Sequence, residues 1–396
     1  MRILLAAPHP FYQERGTPIA IDLLLRALSE RGDTVDLLTY HEGEDRDYPG
    51  VTLHRISPPR WIHGVGPGPS LKKLVCDVFF LARMITLVRR RRYDVIHAVE
   101  EGAFMAMLLK PWWGTPFVYD MDSSMATQVL DRYWLLRPLG PLLRSLEYLP
   151  LRSAAAVVPV CEALATDVRQ RRPDNVVVLK DVSLLDETNP ASDEPALRRE
   201  LGITGTVSMY IGNLESYQGI DLMLESFAQL RGRDKSPALV IIGGKDDDIA
   251  RYTNKAKRLG VGQYVHFLGA KPVRDLAMYM AQADVLISPR TRGVNTPMKI
   301  YSYLHSGIPV LATDLPTHNQ VLGPDIARLA PPTPSAFADA WMDLLHNPGV
   351  AAAMGQRAQA FIEREHSYRA FRETVNGLYD WLDQTLITRC SPTAGV

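Results

Sequence analysis

Cysteine is scarce. Cys76, Cys161 and Cys390 are scattered through 396 residues, at spacings that fit neither a disulfide framework nor a metal cage. Long apolar runs are missing too, so no membrane-spanning helix is expected; one needs about 18 or more uninterrupted apolar residues. Net charge is absent, with 44 Lys+Arg against 44 Asp+Glu. That balance speaks against a protein that coats nucleic acid. There is no short-period repeat, no P-loop, no G-x-S-x-G elbow and no Ser-His-Asp order, so NTPase and hydrolase readings find no motif. Met1-Arg2 runs straight into the apolar residues 3–7, so no signal peptide is expected. The expectation is a reduced, cytoplasmic chain.

What is present is a chain too long for one ordinary core, with 46% apolar residues. Short apolar runs at 3–7, 35–39, 95–97, 117–119, 157–159 and 176–179 alternate with helical stretches such as 19–31 and 71–90. The second half repeats this, with runs at 207–211, 239–242, 264–267, 285–288 and 308–312. Strands without polar alternation, separated by helices, predict parallel sheets covered on both faces. The fold class is therefore α/β, with two Rossmann-like doubly wound domains. Expected boundaries are 1–183 for the first domain, 184–199 for a linker and 200–366 for the second domain. Residues 367–390 should form a helix packing back toward the first domain, and 391–396 a tail.

The most informative stretch is 288–320. An apolar strand ends at Pro289, a polar loop follows, and a helix opens near Pro297. Arg290, Arg292 and Lys299 cluster there, and backbone amides at Asn295 and Thr296 can meet phosphate or sugar oxygens. An ordinary strand-to-helix turn with solvated cations is the alternative. Gly16-Thr17-Pro18 makes a tight turn before the first helix, where backbone can approach a ligand. Asp120 and Asp122 stand at the end of a strand, as does His97; His9 lies in the first loop. Asp246-Asp247-Asp248 follow Gly243-Gly244 and read as a solvated loop, not a metal site. Residues 133–152 are apolar, aromatic and basic. With Arg89–Arg92 and Trp112-Trp113 they fit either an anionic membrane surface or core helices with cationic rims.

Read together, Y-I-G-N-L-E-S-Y-Q-G-I-D-L-M-L-E-S-F-A-Q-L (210–230), L-V-I-I-G-G (239–244), Y-V-H-F-L-G (264–269), A-D-V-L-I-S-P (283–289) and the P-x-K-x-x-x-Y-x-x-x-G-x-P-V run from Pro297 to Val310 resemble the family-4 retaining glycosyltransferases. The resemblance covers nearly the whole chain. It implies the GT-B architecture, two Rossmann-like domains facing a central cleft. It also implies a hexosyltransferase-like enzyme that moves a sugar from a nucleotide-diphosphate donor to a glycan or lipid-linked acceptor, with retention of configuration and no separate cofactor. In this reading the first half holds acceptor, with His9 and His97, and the second holds donor. Base and ribose would lie near residues 267–271 and Ser302. The diphosphate would meet Gly16, Asn213, Gln218 and the Arg290–Lys299 loop.

Several positions depart from the family pattern. Asn213 and Gln218 stand where it commonly has Arg and Lys, and Val294 and Ser302 where it has paired glutamates. Asp122 stands near a usual His. As a carboxylate, Asp122, with Asp120 beside it, would orient the sugar or stabilise positive charge at its anomeric carbon, without the hydrogen bond that His donates. The departures leave open a silent nucleotide-sugar or glycan-binding subunit, and the double-Rossmann shape leaves open a sugar epimerase.

Overall fold

The computed structural model describes residues 1–13, 16–66, 68, 70–172, 174–185, 197–293 and 296–390. Two units result, Met1–Asp181 with Tyr368–Val396, and Val182–Ser367. In the first, the strands are β1 (Arg2–Ala6), β2 (Thr34–Thr39), β3 (Val51–Arg55), β4 (Val95–Val99), β5 (Phe117–Met121) and β6 (Ala156–Pro159). They pair in parallel in the order β3-β2-β1-β4-β5-β6. Ile3 stands opposite Val35 on one side and Val95 on the other. Every residue of β4, β5 and β6 is buried, which explains why these strands read as unbroken apolar runs.

The second unit has β7 (Val207–Ile211), β8 (Ala238–Ile242), β9 (Val265–Phe267), β10 (Val285–Ser288), β11 (Val310–Thr313) and β12 (Arg328–Ala330). Their order is β12-β11-β10-β7-β8-β9. Both sheets thus place the first and fourth strands of the unit side by side, β1 with β4 and β7 with β10. These are the topological switch points, and open α/β sheets bind ligands outside the carboxyl ends of the strands there.

Local chemistry sets several helix starts. Ser70 caps the helix Leu71–Arg90 by accepting from the Lys73 N–H, and Ser124 caps Met125–Arg132 by accepting from the Thr127 N–H. Gly219 opens the helix Ile220–Arg233 at φ 76°, where a Cβ would run into the Pro289 carbonyl.

Some local expectations differ from the structure. The run 176–179 lies along β6 through the Val177 and Leu179 N–H groups, but only Val176 forms a bridge, because Pro159 has no N–H to continue the ladder. The helices Pro334–His346 and Pro348–Glu365 follow one another, with Pro348 starting the second. Asp246–Asp248 form the first turn of the helix Asp246–Arg258, where acids favour the positive helix end. The helix Tyr368–Cys390 is in the first unit, tied to the helix Gly16–Glu30 by Arg31–Asp380 and Arg372–Glu30 pairs. Most of the expected linker, 186–196, and the tail 391–396 lie outside the described residues. Among the described residues, no helix is long and apolar enough to cross a membrane.

Candidate functional site

In the second unit the site grows from the ends of β7 and β10. After β10 the backbone passes Pro289 to Arg290, whose carbonyl accepts from the Thr313 hydroxyl at 2.6 Å. The Arg290 Nε donates to the Arg292 carbonyl at 2.7 Å, and its guanidinium lies 5.2 Å from the Tyr217 ring centroid. Lys299 starts the helix Lys299–His305; its Nζ sits 4.0 Å above the Tyr210 ring and donates to Gln218 Oε1 at 3.3 Å. A Cβ at Gly212 would come 3.2 Å from that Nζ, so glycine at the end of β7 keeps room for the amine. The structure thus joins Gln218, Arg290 and Lys299.

Among the described residues, no acidic side chain pairs with either Arg290 or Lys299. Burial drives the Lys299 amine well below the ordinary lysine range, and the Arg290 charge pushes it further. Burial lowers Arg290 as well. Two like charges held together without a counter-ion favour any anion placed beside them.

The remaining second-unit residues are distributed around this group. Arg292 and Asn213 are exposed; the Asn213 carbonyl accepts from the Tyr210 hydroxyl at 2.6 Å. Thr296 has a buried hydroxyl without a hydrogen-bond partner. Asn295 and Val294 lie outside the described residues. Ser302 is buried, and its Oγ accepts from the Leu184 N–H at 3.1 Å. His318, absent from the sequence reading, lies beneath the loop. Its Nε2 is 2.9 Å from Ser288 Oγ and its Nδ1 is 2.9 Å from the Thr313 carbonyl. Burial pulls His318 down to about 4, with Lys299 and Arg290 adding to the effect, so it is a neutral brace linking the ends of β10 and β11.

The first unit carries the opposite chemistry at its strand ends. Asp120 is the next-to-last residue of β5, buried, with its carboxylate 3.1 Å from His97 Nε2 on β4. His97 is completely buried, and its Nδ1 lies 2.9 Å from the Tyr379 hydroxyl. Both ring nitrogens are therefore engaged within the fold. Asp122 accepts from the Thr17 hydroxyl at 2.6 Å, which ties the start of the first helix to the loop after β5; Gly16 is exposed beside it. His9 is half-buried, its Nδ1 3.0 Å from the Pro10 carbonyl.

Burial raises Asp122 well above the usual carboxylate range, and the charges of Asp120 and Glu100 raise it further against the Thr17 bond. Asp181 is pushed up to about 7 by burial and by Asp120. The direction of this shift favours the protonated form, whereas the sequence reading took Asp122 as ionised. A neutral acid can donate a hydrogen bond, as His does. Thr17, Glu100 and Asp181 were not singled out in the sequence. A Thr beside the Gly16 turn was the only local signal; the other two meet Asp122 through the chain topology.

Asp246–Asp248 remain at a helix start, with Asp248 paired to Arg251 at 2.9 Å. A trio of His41, Glu42 and His63 brings metal-ligand atoms within 4.8 Å of one another. Its Glu42 oxygens accept from the Gly64 and Val65 N–H groups, and His41 Nε2 lies 2.9 Å from the Ile62 carbonyl. These bonds hold the loop after β3.

Known proteins resemble the chain in sequence and in fold. Residues 15–180 match the glycosyl transferase 4-like domain, and residues 193–361 match the glycosyl transferases group 1 family. The two matches follow one another along the chain, one in each unit, and the two six-stranded parallel sheets have the GT-B fold. It is 25% identical over 325 residues to a D-inositol 3-phosphate glycosyltransferase of Corynebacterium glutamicum, covering 76% of each chain. The corresponding enzyme of Corynebacterium aurimucosum is 27% identical over 210 residues, so the chain spans about half the length of that relative. Sucrose-phosphate synthase from Thermosynechococcus elongatus has the same fold, with a TM-score of 0.77 at 18% identity over 97% of this chain and 99% of the other.

Proposed function

We propose that the chain transfers a sugar from a nucleoside-diphosphate sugar, bound by the second unit, to a hydroxyl of a glycan or lipid-linked acceptor, bound by the first. The observation that carries this reading is the Arg290–Lys299 pair, two cations without an acidic partner among the described residues, at the carboxyl ends of β7 and β10 in the stretch that matches the group 1 model. The departing diphosphate takes the electron pair of the broken glycosidic bond, and the two cations stabilise the charge that grows on it. Gln218 and Asn213 add uncharged contacts, and Arg292, Asn295 and Thr296 extend the same loop. Gly16 offers exposed backbone to the diphosphate. Ser302 is assigned to the ribose edge, where its hydroxyl would exchange the Leu184 N–H for a sugar hydroxyl.

In the first unit, Asp122 holds a proton at its carboxyl and donates it as a hydrogen bond to the reacting sugar. Asp120 positions the acceptor, His97 fixes Asp120 from below, and His9 borders the acceptor. Retention of configuration is part of the proposal, as is the absence of a resident metal or cofactor. The test is a panel of nucleotide sugars and acceptors with product stereochemistry read by NMR. A retained glycoside is expected. Donor binding without turnover across the panel overturns the transferase in favour of a silent subunit, and conversion of a nucleotide sugar alone points to an epimerase.

A further inference from the structure

We propose that the outward face of three neighbouring helices in the first unit is a docking surface for an anionic lipid bilayer. The helices are Leu71–Arg90, Gly102–Trp113 and Gly140–Ser153. They carry the chain from β3 to β4, β4 to β5 and β5 to β6, and parallel connections that advance one way across a sheet cover the same face. The middle helix packs beside each of the others. Their inner sides share one core, with Phe80, Met84, Ala106, Leu109 and Leu151 buried together.

Their outer sides are apolar as well. Leu71, Leu74 and Val78 are exposed at spacings of three and four, with Leu71 at 77%. Leu108 and Trp112 follow at a spacing of four, with Trp112 at 72% exposure. Leu142, Leu146 and Leu149 repeat the pattern on the third helix. Such spacings draw a second apolar stripe on helices whose first stripe already fills the core. Exposed apolar stripes on neighbouring helices mark an interaction surface.

Charge selects the partner. Lys72, Arg89, Arg90, Arg144 and Arg152 are exposed on these helices. The three helices contain two acids, Asp77 and Glu147, and both face inward. Asp77 accepts from the Tyr40 hydroxyl at 2.5 Å, and the buried Glu147 accepts from Ser124 Oγ and the Met125 N–H. The outward face is thus apolar and cationic. A symmetric pairing with a second copy would set cations against cations. An anionic bilayer meets both properties, burying leucines and tryptophan at the interface while the Lys and Arg heads reach the phosphates. The proposal stands independently of the transfer reaction.

The test is co-sedimentation of the full chain with vesicles of phosphatidylglycerol and phosphatidylcholine, against phosphatidylcholine alone. Binding to the mixed vesicles, loss of it at high salt and a blue shift of tryptophan emission are expected. The double variant Leu142→Glu/Leu146→Glu should bind roughly tenfold more weakly or worse. Both positions are exposed, so an unchanged melting temperature confirms the fold. Wild-type protein that stays in the supernatant overturns the proposal, as does a folded double variant that binds normally. A wild-type dimer that the variant dissociates, with no vesicle binding, makes the face a protein interface instead.

Discussion

The two units share one strand order and carry opposite charge at their strand ends. β1 and β4 end among Asp122, Asp120, Glu100 and Asp181; β7 and β10 end beside Arg290 and Lys299. Burial raises Asp122 and Asp181 toward holding protons and drives the Lys299 amine toward losing one, so each unit strains its charges in the direction its ligand would relieve. The scaffold alone therefore decides nothing about chemistry. The side chains at the strand ends decide it.

The contrast breaks most severely if the cations are removed. Arg290→Ala/Lys299→Ala should weaken nucleoside diphosphate binding by roughly a hundredfold or more, since each charged hydrogen bond contributes about 1.5–3 kcal/mol. Titration calorimetry reads this, and Asp122→Asn in the first unit should leave it unchanged. On the acidic side, Asp122→Ala should lower transfer by roughly tenfold or more, about 1.4 kcal/mol, with donor affinity intact. Asp122→Asn, which keeps a donor group, should lose less. Equal losses in the two variants would show that charge at this position, not donation, matters.

Asp181 sharpens the comparison through pH. Its folded value, about 7, lies above the 3.8 expected of an exposed carboxyl. Its contribution to stability is therefore complete below about pH 4 and lost as pH rises through 7. The slope is at most roughly 1.4 kcal/mol per pH unit. Melting temperatures between pH 5 and 8 should fall in the wild type, and Asp181→Asn should flatten that trend. The smallest expected effect is Thr17→Val, which removes one hydroxyl bond to Asp122 and should cost about 1 kcal/mol in chemical denaturation.

Much of this was legible in the sequence, for a physical reason. Central strands such as β1, β7 and β10 are buried on both faces and so appear as continuous apolar runs. The edge strands β3, with Thr52 and His54, and β12, only three residues long, carry no such signature, and neither was expected. Arg290 and Lys299 could be picked out as cations nine residues apart. That neither has an acidic partner among the described residues, and that Lys299 rests over Tyr210, depends on pairing β7 with β10 across about 75 residues of chain. Asp122 was picked out beside its strand end, but the upward shift of its carboxyl was not foreseen, because Asp120, Glu100 and Asp181 act on it only after the fold gathers them. The three-helix face was half visible: residues 133–152 stood out by composition, whereas Leu71, Leu74 and Val78 were hidden inside an ordinary amphipathic pattern.

The central claim is that the second unit's depressed amine awaits an anion, and proton uptake tests it most directly. Nucleoside diphosphate binding at pH 8.5, where a terminal phosphate with its second pKa near ~6 is fully ionised, should be measured in buffers of different ionisation enthalpy. A bound diphosphate stabilises the Lys299 ammonium, so the complex should take up a proton, and Lys299→Met should abolish both the uptake and most of the affinity. Binding of equal strength in wild type and Lys299→Met, with no dependence on buffer, would contradict the account.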